Sequence, residues 1–298
     1  MVVQEPDAPL AEVNGCVRGE SHPAPHAGGV DVADLCRASY RSERDHAAML
    51  SAAASVAYLC GWKAYDADEH GLAQRYYLQS YALTREAGDD LHGAWILRIL
   101  AHNGMDIRRP EHTLNLAEAA LARVRGKVDP AAEALFVVTR ARALANAGRG
   151  AEAVTQARAA QDLVLSGEQE MVPYWAALWG AAKATVSSNT AKTFLALGDH
   201  ANAERHYAAS ARRRPDGTQR ITALTIAAQG REQALQGHLE QACDTWGRSL
   251  DLLGGVRSAR AAGEVAGIRR RLASLERRGV RAAAELDERA RSWQRAYA

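Results

Sequence analysis

The chain has 298 residues, 47% hydrophobic and 24% charged, which is the composition of a globular protein with enough apolar residues for a sizeable core. Its net charge of +2 is too small to argue for binding to nucleic acid or a membrane. Alanine dominates the apolar residues and only two residues are Phe, so helix propensity favours an all-helical chain. Only four of the 37 basic residues are Lys. The excess of Arg suits acidic partners, and a base composition that favours Arg codons explains it as well.

The first 30 residues differ from the rest of the chain. They contain four Pro and four Gly and predict a flexible tail. They lack the basic and apolar regions of a signal peptide, and no later apolar run approaches the ~18 residues that span a membrane. The four cysteines form no C-x-x-C pair, so neither a disulfide framework nor a zinc site is indicated. We therefore expect a cytoplasmic protein.

From residue 32 onward the chain repeats a helical pattern about every forty residues. Each copy has a small residue, usually an aromatic residue four positions later, and another small residue three further on. A small residue lets two helices approach closely, and the aromatic ring fills the space beside it. The first small residues, here called the register residues, are Ala73, Thr113, Ala153, Ala203 and Ala242. They are separated by 40, 40, 50 and 39 residues.

The patterns predict twelve long helices over this region. They cover residues 44–65, 69–87, 91–106, 111–125, 130–147, 151–165, 172–197, 200–213, 217–236, 239–253, 257–277 and 281–296. The last two are amphipathic, and an amphipathic terminal pair is what a stack of repeats needs as a cap. The polar faces of this pair are rich in Arg, which would also suit a nucleic-acid-binding arm, although Glu and Asp are interleaved with the Arg.

The repeat resembles the tetratricopeptide repeat (TPR), with Pro215 where that repeat places its terminal proline. Longer stretches, among them "AYLCGWKAYD" and "WGAAKATVSSNTAKTFLALGDHANAERHYAA", resemble the C-terminal TPR segment of actinobacterial Xre-type helix-turn-helix transcriptional regulators. The resemblance implies an all-α, right-handed solenoid of helix pairs over residues 31–298. It would have five to six TPR-like repeats and a C-terminal capping pair. The resemblance does not include the helix-turn-helix domain, because residues 1–44 supply one helix at most.

An acidic cluster with a histidine lies inside the stretch 61–89 and could be a metal site, an acid/base centre or a turn. His70 lies three residues before its register residue, and so does His200. Equivalent positions three repeats apart cannot share a metal ion, so we interpret both as packing residues at a turn. Asp66 or Asp68 would then be the helix N-cap. Sequence motifs for hydrolases, nucleotide-binding proteins and zinc enzymes are missing, so we predict no catalytic residue, metal or cofactor.

The first helix of each repeat supplies the candidate binding residues. The resemblance implies that positions eleven and fifteen residues before the register residue face a concave groove. The candidates at these positions are Tyr58, Trp62, Arg98, His102, Arg142, Lys192 and Arg231. A column of basic side chains could clamp the carboxylates of an acidic or C-terminal peptide. Alternatively, these side chains are simply solvated.

A second candidate contact region is "MVPYWAALWG", residues 171–180. Tyr174 with Leu178, and Trp175 with Trp179, stand at helical spacing. Either these residues form core between repeats or they expose a hydrophobic patch for a partner.

The sequence thus favours a non-catalytic TPR-type interaction or sensor protein in transcriptional regulation or signalling. We expect a peptide or protein partner, acidic if the basic groove binds it, and no direct binding to nucleic acid or membrane. A homodimer is compatible with the pattern. The alternative is a DNA-binding transcriptional regulator that uses the Arg-rich end or a helix-turn-helix domain missing from this chain.

Overall fold

A computed structural model describes residues 32–107, 109–167, 173–176 and 181–297. The chain divides into two compact units, Met1–Val124 and Arg125–Ala298. The predicted tail lies outside the described residues, and the predicted boundary near residue 30 stays a prediction.

Every regular element in the described ranges is a helix, which confirms the predicted all-α class. The first unit contains α1 (Val32–Arg37), α2 (Glu43–Asp66), α3 (His70–Glu86), α4 (Asp90–Asp106) and α5 (Pro110–Val124). The second unit contains α6 (Pro130–Asn146), α7 (Gly150–Ser166), α8 (Ala182–Ala196), α9 (His200–Arg212), α10 (Gln219–Leu235), α11 (Leu239–Leu252), α12 (Ala259–Arg277) and α13 (Arg281–Tyr297). No helix in the described ranges is long and apolar enough to cross a membrane.

The helices pack as consecutive pairs, from α2 with α3 to α12 with α13. All five register residues are buried where the two helices of a pair meet, as are the residues four and seven positions later. In three pairs the residue at the seventh position is Ser, and its hydroxyl donates to a backbone carbonyl of the first helix. These bonds are Ser80 to Ala54 (2.7 Å), Ser210 to Ala184 (2.7 Å) and Ser249 to Ala223 (2.8 Å). The sequence repeat is therefore also a repeat of contacts.

The helix predicted over 172–197 begins at Ala182 instead, so its predicted start was wrong. Residues 173–176 form a turn in which the amide of Ala176 donates to the carbonyl of Pro173 at 2.8 Å. The helical spacing predicted for Tyr174 and Trp175 therefore fails, and Leu178 and Trp179 lie outside the described residues.

The two aromatic residues of this turn have different environments. Trp175 is buried and its ring meets Phe136 edge-on, with 6.3 Å between ring centroids, so this residue is core. Tyr174 is exposed.

The last helix pair closes the C-terminal end of the second unit, as predicted. Leu272, Leu286 and Trp293 are buried in a core shared with α11, and the indole N–H of Trp293 donates to the carbonyl of Leu253 at 2.9 Å. On the polar face, Asp287 accepts from both Arg269 and Arg291 at 2.8 Å. Ion pairs thus neutralise part of the Arg-rich face.

Candidate functional site

In the first unit, two of the predicted groove residues form part of the core. The side chain of Arg98 is 0% exposed, and its guanidinium lies 4.6 Å from the ring centroid of Trp95. Burial lowers the pKa of Arg98 to about 9, with Tyr58 opposing the shift. Burial also raises the pKa of Tyr58 above its usual value, with Arg98 opposing. Tyr58 packs against Tyr77 with 6.1 Å between ring centroids. Neither Tyr58 nor Arg98 therefore presents surface to a ligand in this structure.

The other two positions of the first unit differ in exposure. His102 is buried on α4, whereas Trp62 on α2 is partly exposed. Burial around α4 has a simple origin, since most of its residues pack against neighbouring helices whatever their polarity. Spacing from the register residue alone did not reveal this. A role for these four residues in binding stays a prediction.

In the second unit, two of the three predicted positions meet in space around Tyr207. The phenol of Tyr207 on α9 interacts electrostatically with Arg142 from α6 and with Arg231 from α10. Two acidic residues, Glu232 and Glu264, interact with it as well. Burial is the main cause that raises the pKa of Tyr207 to about 12, so its hydroxyl stays protonated at neutral pH. Helices that are distant in sequence thus bring polar groups to one place.

Arg231 is the best-connected member of this group. Its Nε lies 3.3 Å from Glu232 Oε1, and its Nη1 lies 3.8 Å from Glu264 Oε1 on α12. Burial by itself lowers the pKa of Arg231 because it disfavours the charged form. Interactions with Glu264, Tyr207 and Glu232 outweigh this effect and raise the pKa above the ordinary value. The side chains of Arg231 and Glu264 are 26% and 24% exposed, so both can still meet a ligand.

Arg271 on α12 faces the same acidic and basic groups. Burial lowers its pKa, Arg231 lowers it further, and Glu264 opposes the change. We call Arg142, Tyr207, Arg231, Glu264 and Arg271 the inner polar cluster. Lys192, the third predicted position of the second unit, is partly exposed on α8.

The acidic residues near Arg231 were missed by the sequence reasoning. Glu232 is fully buried and accepts from His200 Nδ1 at 2.8 Å as well as pairing with Arg231. It lies one position after the predicted column, and a carboxylate inside the run "IAAQGREQAL" is the signal that could have drawn attention to it. The second unit therefore offers mixed charge rather than a purely basic column.

The histidines of the repeat occupy equivalent places, as predicted, but have different partners. His70 and His200 are the first residues of α3 and α9. His70 Nε2 lies 3.1 Å from Asp68 Oδ1, and its ring meets Tyr65 edge-on at 5.4 Å between centroids. In the described ranges, no group of three or more His, Cys, Asp or Glu side chains is arranged to hold a metal ion.

The predicted N-cap of α3 was wrong. Asp66 is the last residue of α2, and Asp68 lies two positions before the start of α3. The N-cap is Glu69, whose side chain makes no capping hydrogen bond. An N-cap side chain must stand immediately before the helix to reach its free amides, and neither aspartate does.

No family model and no curated protein matches the chain. Among solved structures, a Rap protein complexed with Competence and Sporulation Factor is similar, with a TM-score of 0.50 and 14% identity. That match covers 85% of this chain and 80% of the other. A putative kinesin light chain of Podosopora anserina with nearly identical TPR-like repeats matches with a TM-score of 0.41 and 13% identity, over 74% and 96% of the two chains. The likeness shows the fold alone. The fold is TPR-like, with helices packed in consecutive pairs.

Proposed function

We propose that this protein binds a peptide or partner protein through the inner polar cluster of its second unit, and that it acts by binding rather than by catalysis. This proposal rests on Arg231, which is partly exposed and lies 3.3 Å from Glu232 and 3.8 Å from Glu264. Arginine forks suit carboxylates, and Glu264 offers an acceptor for a backbone amide or an amine. The ligand we propose is therefore a peptide segment with at least one carboxylate.

One further observation supports a binding role. The similar Rap protein is complexed with Competence and Sporulation Factor, so a protein of similar fold binds a factor in that case.

A role in transcriptional regulation or signalling is part of the proposal and rests on the resemblance to Xre-type regulators. A cytoplasmic location belongs to it as well and fits the three described cysteines, Cys36, Cys60 and Cys243, which are not joined in disulfides. DNA binding through the Arg-rich end is less well supported, because Arg269, Arg289 and Arg291 are already in ion pairs.

The test starts from a displayed library of random dodecapeptides selected on the purified protein. We expect peptides rich in Asp and Glu to be enriched, and the Kd of one selected peptide is then measured by fluorescence anisotropy. Arg142→Glu together with Lys192→Glu is expected to raise the Kd of that peptide at least tenfold, because the charge that attracts its carboxylates is reversed.

Arg277→Glu with Arg278→Glu is the matched control, since both residues are exposed at the C-terminal end of α12, outside the cluster, and the two changes alter the net charge equally. Arg142 is buried and its replacement can unfold the protein, so Arg231→Gln, which changes a partly exposed arginine of the cluster, is measured as well. Equal affinity of all variants for the selected peptide, or selection without enrichment of acidic residues, would show that the cluster is not the binding site.

A further inference from the structure

A second charged surface lies at the other end of the helices, where one pair connects to the next. The loop after α9 and the loop after α11, with the first turns of the helices that follow, carry six arginines. These are Arg212, Arg213, Arg214, Arg220, Arg257 and Arg260, here called the basic edge. Over residues 211–222 and 253–263 the sequence contains one acidic residue, Asp216.

Two hydrogen bonds place parts of these two regions on one edge of the second unit. Arg220, near the start of α10, has its Nη1 3.5 Å from the hydroxyl of Ser258, the N-cap of α12. The two loops therefore meet where α10 and α12 begin. Arg213 Nη1 donates to the hydroxyl of Ser187 at 2.9 Å. This bond holds the Arg213 side chain against α8, the first helix of the preceding pair.

The charge of this edge faces solvent except at Arg214, whose Nε is buried and whose pKa is lowered by burial. Arg212, Arg213 and Arg257 are exposed, and the other three are partly exposed. Arg212 and Arg257 have no hydrogen bond or ion pair anywhere in the described ranges, and Asp216 is itself exposed. The segment between α7 and α8, which connects the preceding helix pair to the next, contains Glu168 and Glu170, and both lie outside the described residues. The net charge of +2 for the whole chain thus conceals a local excess of positive charge.

We infer that the basic edge binds the phosphate backbone of nucleic acid. Guanidinium groups match phosphate oxygens with two parallel hydrogen bonds, and clustered arginines gain affinity from released counterions. A protein partner usually needs an apolar centre in its interface, and Ile221 is the one large hydrophobic residue exposed in the stretches 211–222 and 253–263. Neither stretch contains an aromatic residue on which a base could stack, so the contact is with the backbone and is indifferent to sequence.

Binding of a fluorescent 20-base-pair DNA duplex, measured by anisotropy between 50 and 200 mM salt, tests this inference. If all six arginines contact phosphates, the logarithm of the affinity falls with the logarithm of the salt concentration with a slope of about −5. Arg212→Ala with Arg257→Ala removes two contacts. We expect the slope to become shallower by about 2 and the affinity at 50 mM salt to fall about 100-fold. Neither side chain has a hydrogen bond or an ion pair in the described ranges, so the variant should keep its melting temperature.

The matched control is Arg277→Ala with Arg278→Ala. Both residues are exposed at the end of α12, about 28 Å along the helix from Ser258. The two substitutions remove the same amount of positive charge as the test variant. The control should bind DNA with the slope of the unchanged protein. A duplex of unrelated sequence and an RNA duplex of the same length should bind with similar slopes, because only the phosphodiester chain is read.

Several outcomes would overturn the inference. One is no binding of either duplex at 50 mM salt. Another is an equal loss in the test and control variants, which would mean that only net charge matters. A third is that binding to vesicles with anionic lipids depends on Arg212 and Arg257, whereas binding to the duplex does not depend on them. That result would assign the edge to a membrane surface instead.

Discussion

Gly61 on α2 lies against the ring of Tyr77 on α3, and this contact explains why the repeat needs a small residue there. A Cβ added to Gly61 would stand 2.5 Å from the Tyr77 ring. The same arrangement recurs in the last TPR-like pair, where a Cβ on Gly230 would stand 2.7 Å from Trp246. In both pairs the glycine lies twelve residues before the register residue. The volume of the aromatic ring thus fixes how close the two helices come.

Gly61→Ala should lower the free energy of unfolding by about 1–3 kcal/mol, because the added methyl group overpacks the contact with Tyr77. Gly71→Ala is the control in the next helix, where an added Cβ meets nothing within 4 Å. That change should be neutral or stabilise the protein by up to about 1 kcal/mol through helix propensity. Urea denaturation of both variants measures the difference. Equal effects would show that the close approach to Tyr77 does not limit residue size.

Among the helices, the turns within four of the pairs share one backbone conformation. Gly148, Gly198 and Gly237 stand five residues before their register residues and have φ of 76°, 75° and 88°. In the first pair the equivalent residue is Asp68, with φ of 67°. A residue with a side chain is strained in this region, although Asp tolerates it better than most.

Asp68→Gly should therefore raise the free energy of unfolding by about 0.5–1 kcal/mol, since relief of strain outweighs the added entropy of the unfolded chain. The lost pair with His70 contributes little, because the side chain of Asp68 is 79% exposed. Gly198→Asp, the reverse change at the equivalent turn, should destabilise the protein. Thermal melts at neutral pH compare the two, and a lower melting temperature for Asp68→Gly would contradict the explanation.

At the scale of the whole molecule, the second unit has a core of its own. Trp246, Leu272 and Trp293 belong to one buried cluster that joins α10 to α13. A unit with its own core can fold alone. The fragment 125–298 should therefore be helical by circular dichroism and unfold in one cooperative transition. The fragment 32–124 is compared in the same way. A fragment 125–298 that lacks a cooperative transition would show that its core depends on the rest of the chain.

Much of this organisation could be predicted from the sequence. The helix pairs, the register residues and the equivalent histidines depend on spacing within about forty residues, and local periodicity determines them. The errors concern single positions. The N-cap of α3 and the start of α8 depend on the geometry of short turns, which helical periodicity does not encode. The burial of Arg98 depends on which helices surround α4, and residue spacing alone carries no such information.

The sequence by itself determined that the chain forms helix pairs, because small and aromatic residues recur at the positions where two neighbouring helices must touch. Only the tertiary structure decided which charges meet. Arg142, Tyr207, Arg231 and Glu264 come from four different helices, and the six arginines of the basic edge come from two separate connecting regions. Their proximity follows from how successive pairs stack, and electrostatic interaction depends on that distance rather than on position in the chain.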